Sequence, residues 1–338
     1  MPEGVEVRKF ADILIHNIVG HNLTDVNILK GRYTKKVFDG YNELISMLPA
    51  KVISVKCKGK MTYIELHSKK TDKTAWLINT LGLTGGWTAA ANEKKGLADF
   101  KGIRYLKGSI KKEGDSKEKG CDNQEMVFAY PLIWEYISNN NISEWFEHAL
   151  NHLNVEFVMD NHRVGYFYDQ LSFGTLKLLE TQKDLDKKLG ELGADMLEKE
   201  TTFEIFDNAI CKGTNKAKPI GNVIVNQKLV SGVGNYLRAD ALWMARVSPF
   251  RKVDELSKEE KERIYKSIRA LMWGDFNPTE AKKLGYITAD FKIPHDYGRE
   301  FFVYRQETDL NGRKVQKREL YEGSQKRTIF WVPEVQNG

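Results

Sequence analysis

Residues 229–249 read LVSGVGNYLRADALWMARVSP, and the fold of the second half of the chain turns on how they are read. Gly232 and Gly234 allow a tight turn whose backbone N–H groups point outward, because glycine tolerates conformations that other residues avoid. Asn235, directly after the turn, is suited to cap the helix that the following apolar spacing predicts, and its amide can also donate to a phosphate. A GxG followed by a capping residue is common, so both readings stand at this point. Working outward, FEIFDNAI at 203–210 and LSKEEKERIYKSIRALMWGDF at 256–276 carry helical patterns, which makes this half mainly helical. Upstream, TQKDLDKKLGELGADMLEKE at 181–200 is polar with few large apolar anchors and reads as a domain boundary. Downstream of Pro294, FFVYRQE, KVQKREL and RTIFWV are short strand-like pieces joined by polar turns, the pattern of a small β-hairpin module.

The N-terminal half is patterned differently. After MPEG, the segment EVRKFADILIHNIVG spaces Val7, Phe10, Leu14 and Ile18 by threes and fours, which predicts an amphipathic helix ending at Gly20. KVISVKCKGKMTYIELH and TAWLINTLGL are β-rich, so residues 21–90 are expected to form a sheet, and VGYFYDQLSFGTLKLL at 164–179 returns to β character. In KVISV, Val52 and Ser54 are expected on one face and Ile53 and Val55 on the other. Between these runs, residues 108–124 are dense in charge, Gly and Ser and read as a surface loop. The aromatic-rich stretch from Pro131 to Leu153 reads as helical, broken around the three asparagines at 139–141.

Composition sets limits on function without choosing one. A chain of 338 residues that is 41% hydrophobic can build two or three domains with real cores. A formal charge of +6, from 52 basic and 46 acidic residues, permits a nucleic-acid partner without requiring it. Three widely spaced cysteines, Cys57, Cys121 and Cys211, argue against both a CxxC metal knuckle and a disulfide-built secreted domain. The expectation is an intracellular protein whose residue 1 is the true start and which neither spans a membrane nor is secreted.

Four local features can carry chemistry. In PEGVE, removal of Met1 would expose the secondary amine of Pro2 beside Glu3 and Glu6. Its reference pKa is near 8, so modest lowering makes it neutral and nucleophilic at pH 7. Attack by such an amine on a sugar C1′ yields an iminium with no N–H to lose, a lasting electron sink that favours proton loss at C2′. The competing reading of Pro2 is a helix-leading residue. Lys60, in KCKGK, forms a basic knot able to meet phosphate, or is a solvated lysine. The GVGN turn is the third feature. The fourth is Arg327 at the apparent turn of the terminal hairpin, a suitable phosphate clamp beside Lys326.

In this order, MPEGVEV, GKMTYIEL, LGLTG, FGTLKLL, NQKLVSGVGNYLRADALW, FFVYRQE and SQKRTIFWVPEVQ resemble the Fpg/Nei family of bifunctional DNA glycosylases. The resemblance covers nearly the whole chain apart from residues near 90–155. It implies an α+β fold: an N-terminal β-sandwich flanked by helices, a helical domain with a helix–two-turn–helix motif, and a C-terminal β-hairpin finger. The expected boundaries are 1–182, a linker at 183–198, 199–293 and 294–338, with an insertion near 90–155 in the first domain. The resemblance further implies Pro2 as nucleophile, Glu3 as general acid in sugar-ring opening, Glu6 in support, and Lys60, Asn235 and Arg327 on phosphates around an extruded nucleotide. Damaged DNA, whether duplex, single-stranded or bubble, is the expected partner of a monomer.

Two departures from the family pattern sharpen these expectations. The finger segment that usually brings two zinc-binding cysteines reads WVPEVQ, with Val332 and Val335 and no cysteine after Cys211. Zinc needs about four N, S or O ligands. The finger is therefore expected to be zincless, like that of one branch of the family, with no cofactor or metal, held by strand pairing and by Phe302, Val303, Ile329, Phe330 and Trp331. Leu83 in LGLTG is the expected void-filling wedge, whereas LSFG stands where the family often has paired arginines before Phe-Gly, so an intercalating arginine is missing at Leu171 and Ser172. The expected reaction is excision of oxidised pyrimidines and hydantoin or formamidopyrimidine lesions with β,δ-elimination. The alternatives are an 8-oxoguanine- or formamidopyrimidine-preferring enzyme, a non-catalytic DNA-binding relative, and a protein whose hairpin binds another protein.

Overall fold

The computed structural model describes residues 2–92, 124–128, 152–161, 163–288, 300–322 and 325–336. The charge-rich 108–123 segment, Cys121 and the helix expected from Pro131 lie outside the described residues, and Leu153, the last residue of that stretch, opens a strand. The chain forms two compact units. The first holds residues 1–2, 6–57 and 61–186, and the second holds 3–5, 58–60 and 187–338.

The first unit is built on helix α1 (Gly4–Ile18) and a nine-stranded sheet. Val7, Phe10, Leu14 and Ile18 of α1 are all buried, as their spacing predicts, and Gly20 turns the chain beyond the helix at φ +88°. The strands are β1 (Asn22–Ile28), β2 (Ala50–Lys58), β3 (Met61–Ser68), β4 (Lys73–Thr80), β5 (Gly85–Asn92), β6 (Gln124–Phe128), β7 (Leu153–Met159), β8 (Arg163–Asp169) and β9 (Thr175–Leu179). They pair in the order β6-β5-β8-β7-β1-β2-β3-β4-β9. Strand β6 and the end of β5 fall inside the insertion expected near 90–155, so part of it extends the sheet. The ladder bends until its distant strands meet: the Trp87 indole on β5 donates to Asn79 Oδ1 on β4 at 2.9 Å. Gly174 N, ahead of β9, donates to Asp169 at the end of β8 at 2.6 Å. The result is the expected sandwich, with Trp87 packed on Phe157 and Phe167 between its layers. In β2 the simple alternation fails: Val52, Val55 and Cys57 all turn inward while Ile53 is exposed. The change of phase is what one extra residue in a strand produces.

The second unit has a helical core. The helix Lys258–Phe276 starts on a reciprocal cap between Ser257 and Glu260, the helix Phe203–Ile210 is capped by Thr202, and the helix Asn235–Ala245 lies among their apolar side chains. The polar 181–200 stretch is more ordered than its composition suggests. It contains the helix Gln182–Gly190, opened by Thr181 and Asp184, and the short strand Ala194–Asp195, which pairs in parallel with Val230–Ser231.

The C-terminal module differs from expectation in one respect. FFVYRQE is not a strand, because the buried Asp240 carboxylate accepts from Phe302 N, Val303 N and Tyr304 N at 3.0–3.1 Å and gathers them into a turn. The hairpin itself pairs Gln316–Glu322 with Gln325–Trp331. Val332, at a position where the family's zinc ligand is expected, is fully buried in the apolar core, and Val335 packs beside it. Phe302, Val303 and Ile329 are buried as expected, Phe330 meets Tyr304, and Trp331 packs edge-on against Phe250. Asp309 adds a polar knot, accepting from the Trp243 indole, Asn311 N, and Arg313 through both backbone and guanidinium.

Candidate active site

The second unit takes in two short pieces of the N-terminal half, Glu3–Val5 and Lys58–Lys60. Each is held by backbone contacts. Gly4 N donates to Gly232 O at 2.8 Å, and Gly59 N donates to the buried Asp195 carboxylate at 2.8 Å. Gly59 turns at φ +56°, and a Cβ there would lie 2.6 Å from Ser231 Cβ, so this turn requires glycine. The GVGN loop is braced from inside by Gln227, which donates to Val225 O and Val233 O and accepts from Gly232 N.

Glu3 is the centre of the arrangement. It is wholly buried, and its carboxylate accepts from Gly234 N at 2.6 Å, Tyr236 N at 3.1 Å and Leu237 N at 3.4 Å. A negative group thus satisfies the orphan N–H donors at the start of the Asn235–Ala245 helix and meets the positive end of its dipole. Gly234 permits the approach. A Cβ on it would stand 2.5 Å from Lys60 Nζ and closer still to Glu3 Oε1, which places the ammonium and the carboxylate within about 5 Å of each other.

This geometry corrects the local reading of Asn235. Gly234 is the N-cap and makes no side-chain bond, so the cap is supplied in trans by Glu3 rather than by Asn235. Asn235 is the first helical residue and half-buried, and its Oδ1 has no hydrogen-bond partner among the described residues. Its amide is therefore not consumed in holding the helix.

Pro2 precedes Glu3, is half-buried, and stands two residues ahead of α1 rather than leading it at its first position. Glu6 is buried in the first turn of α1. Arg327 is displaced from the expected turn: it is the third residue of its strand, opposite Leu320. Buried Arg238 ties that strand to the helix headed by Asn235, donating to Thr328 O at 3.1 Å and Gly221 O at 3.3 Å. Leu83, in the first unit, is 42% exposed on the turn between β4 and β5. Thr84 beside it donates to Asp169 and accepts from Leu171 N, joining this turn to the loop where Leu171 and Phe173 are also exposed. The contributions of Glu3 as a cap and of Asp195, Gln227, Arg238 and Asp240 as supports escape local sequence reading.

Among the described residues no group of three or more His, Cys, Asp or Glu could hold a metal ion, and no helix is long and apolar enough to cross a membrane.

Family models match along most of the chain. They are the N-terminal domain of formamidopyrimidine-DNA glycosylase over residues 1–176, its H2TH domain over 192–277 and its C-terminal domain over 293–337. Curated relatives include the formamidopyrimidine-DNA glycosylases of Heliobacterium modesticaldum, 33% identical over 36% of this chain and 43% of the relative, and Listeria monocytogenes, 30% identical over 41% and 48%. The chain thus spans less than half the length of these relatives. Among solved structures it resembles Lactococcus lactis Fpg in complex with abasic-site DNA at 18% identity, covering 99% of this chain and 100% of that one with a TM-score of 0.64. It also resembles the MutM (Fpg) protein of Thermus thermophilus at 20% identity, covering 99% and 98% with a TM-score of 0.61. The chain shares the fold of those proteins, and with the N-terminal model alone matching more than half its length, it belongs to the formamidopyrimidine-DNA glycosylase family.

Proposed function

We propose that the protein is a bifunctional DNA glycosylase and abasic-site lyase acting on oxidised bases. The observation that carries the reading is the convergence at Gly234 of the Glu3 carboxylate, the Lys60 ammonium and the head of the Asn235–Ala245 helix. A buried carboxylate one residue from a secondary amine, beside a fixed cation and a helix N-terminus, is an arrangement for covalent chemistry next to a phosphate.

In this account the Pro2 amine attacks C1′ of the damaged nucleotide as the base leaves. Glu3, held as a carboxylate by three N–H donors, takes the proton the amine loses and passes it to the sugar ring oxygen as the ring opens. The resulting iminium draws electrons from C2′, so proton loss there expels the 3′-phosphate, and a second elimination releases the 5′-phosphate. Hydrolysis then frees Pro2. Lys60, Asn235 and Arg327 bind the phosphates flanking the extruded nucleotide, Glu6 supports the start of α1, and Leu83 fills the gap left in the stack.

Oxidised pyrimidines and hydantoin lesions are the favoured substrates, because the finger lacks zinc ligands and LSFG lacks the arginine that would read the orphan base. A formamidopyrimidine preference is the second reading, favoured by the activity for which the curated relatives are named. A panel of duplexes carrying thymine glycol, a hydantoin, a formamidopyrimidine or 8-oxoguanine decides between them. The expected result is strand cleavage leaving 3′-phosphate ends, fastest on the first two. Preference for formamidopyrimidine or 8-oxoguanine supports the second reading, and cleavage of none refutes both.

A further inference from the structure

Away from Glu3 and Lys60, the second unit contains a cavity of about 280 Å³ between the segment 213–226 and the hairpin. Its lining combines the apolar Pro219 and Val223, the polar Asn215, Lys218, Asn222 and Asn226, and Tyr321. Tyr321 is 61% exposed, and its backbone is anchored by Asn222 Nδ2, which donates to the Tyr321 carbonyl at 2.9 Å.

The polar groups of the lining are mostly donors. Lys218 spends one N–H on Asn215 Oδ1, and Asn226 Oδ1 accepts from Lys228 N, which leaves ammonium and amide hydrogens to offer. Among the described residues no carboxylate lines the cavity, and Lys216 and Lys218 on this segment and Lys212 and Lys228 flanking it are all exposed. An exposed tyrosine beside the apolar Pro219 and Val223 suits a flat heterocycle, and the surrounding cations suit a phosphate.

The cavity is also set apart from Arg327. Directly opposed residues of an antiparallel pair share a face, so Tyr321 lies with Lys326 while Leu320 lies with Arg327 on the other face. From these observations we propose that the cavity is a second nucleic-acid subsite, which holds one unpaired nucleotide of a DNA strand with its base stacked on Tyr321 and its phosphate on Lys218. The proposal rests on the DNA-acting reading above, and it adds a route by which single-stranded or partly opened DNA is held.

The test is fluorescence anisotropy of the full chain with a labelled oligo-dT single strand and, separately, a blunt duplex bearing a tetrahydrofuran abasic analogue. Tyr321→Ala is expected to weaken oligo-dT binding about tenfold, Tyr321→Phe to keep it, and neither to alter duplex binding. Lys218→Ala should lower the slope of log affinity against log salt for oligo-dT by about 0.7. Oligo-dT binding indifferent to Tyr321→Ala, with duplex binding intact, overturns the subsite alone. Equal losses on the duplex overturn its separateness. Saturation by free dTMP with the same dependence on Tyr321 overturns the assignment to a strand in favour of a mononucleotide site. A parent chain that binds neither DNA overturns the subsite and the DNA-acting reading together.

Discussion

Replacing Glu3 by Gln tests stability and chemistry in one variant. The carboxylate receives three backbone N–H groups at the head of the Asn235–Ala245 helix, with no solvent to replace them. An amide keeps one acceptor oxygen and turns an NH2 toward the remaining donors, so at least one buried N–H loses its partner at a cost of about 1 to 3 kcal/mol. Loss of the negative charge at the helix start adds up to about 2 kcal/mol in a buried setting. A central value of about 3 kcal/mol, in a unit of roughly 150 residues, lowers the melting temperature by about 6 to 12 °C. Differential scanning calorimetry of the parent and of Glu3→Gln reads this directly. A melting temperature within about 2 °C of the parent would refute the view that Glu3 caps this helix. Assayed below that melting temperature, the variant should lose base removal more than cleavage of a preformed abasic site, because the preformed aldehyde no longer needs the base to leave.

Other outcomes follow from single contacts. Leu83→Ala should slow excision from duplex more than from single-stranded substrate in single-turnover assays, and equal losses would count against a wedge. Arg327→Ala should weaken DNA binding and reduce the slope of log affinity against log salt by about 0.9, measured by anisotropy on duplex; an unchanged slope excludes a phosphate contact. The Asp309 carboxyl is raised by burial, but hydrogen bonds from Arg313, Asn311 and Trp243 outweigh this and hold it below its ordinary value. Its contribution to stability is therefore full above the unfolded value near 3.9 and lost as pH falls through the lower folded value. Asp309→Asn should accordingly be less stable than the parent at pH 7, with the difference shrinking below about pH 4, as followed by thermal melts across pH.

What could be read from the sequence was whatever is encoded locally. The spacing of Val7, Phe10, Leu14 and Ile18 announces α1, and all four are buried. The apolar character of the valines at 332 and 335 announces packing, and Val332 is buried in the apolar core with Val335 packed against that core. Local spacing could not show contacts made across the chain. The cap of the Asn235–Ala245 helix comes from Glu3, 231 positions before Gly234, whereas local spacing offers only Asn235 as the nearest polar candidate. FFVYRQE has the composition of a strand, but Asp240, 62 positions before Phe302, collects its N–H groups into a turn. Gly and Ser ahead of Arg327 suggest a turn there, whereas the register carries the strand back to Gln325. In the first two cases a buried polar group distant in sequence decides the local conformation, since an unpaired buried donor costs more than a residue's intrinsic preference.

The central claim is that Pro2 forms the covalent bond to DNA. Sodium borohydride trapping on a thymine-glycol or hydantoin duplex, followed by peptide mapping of the adduct, tests it most directly. The account predicts a stable adduct on the amine of Pro2, abolished when Met1 is retained or a tag extends the N-terminus. No adduct, or one on an internal lysine such as Lys60, would contradict it.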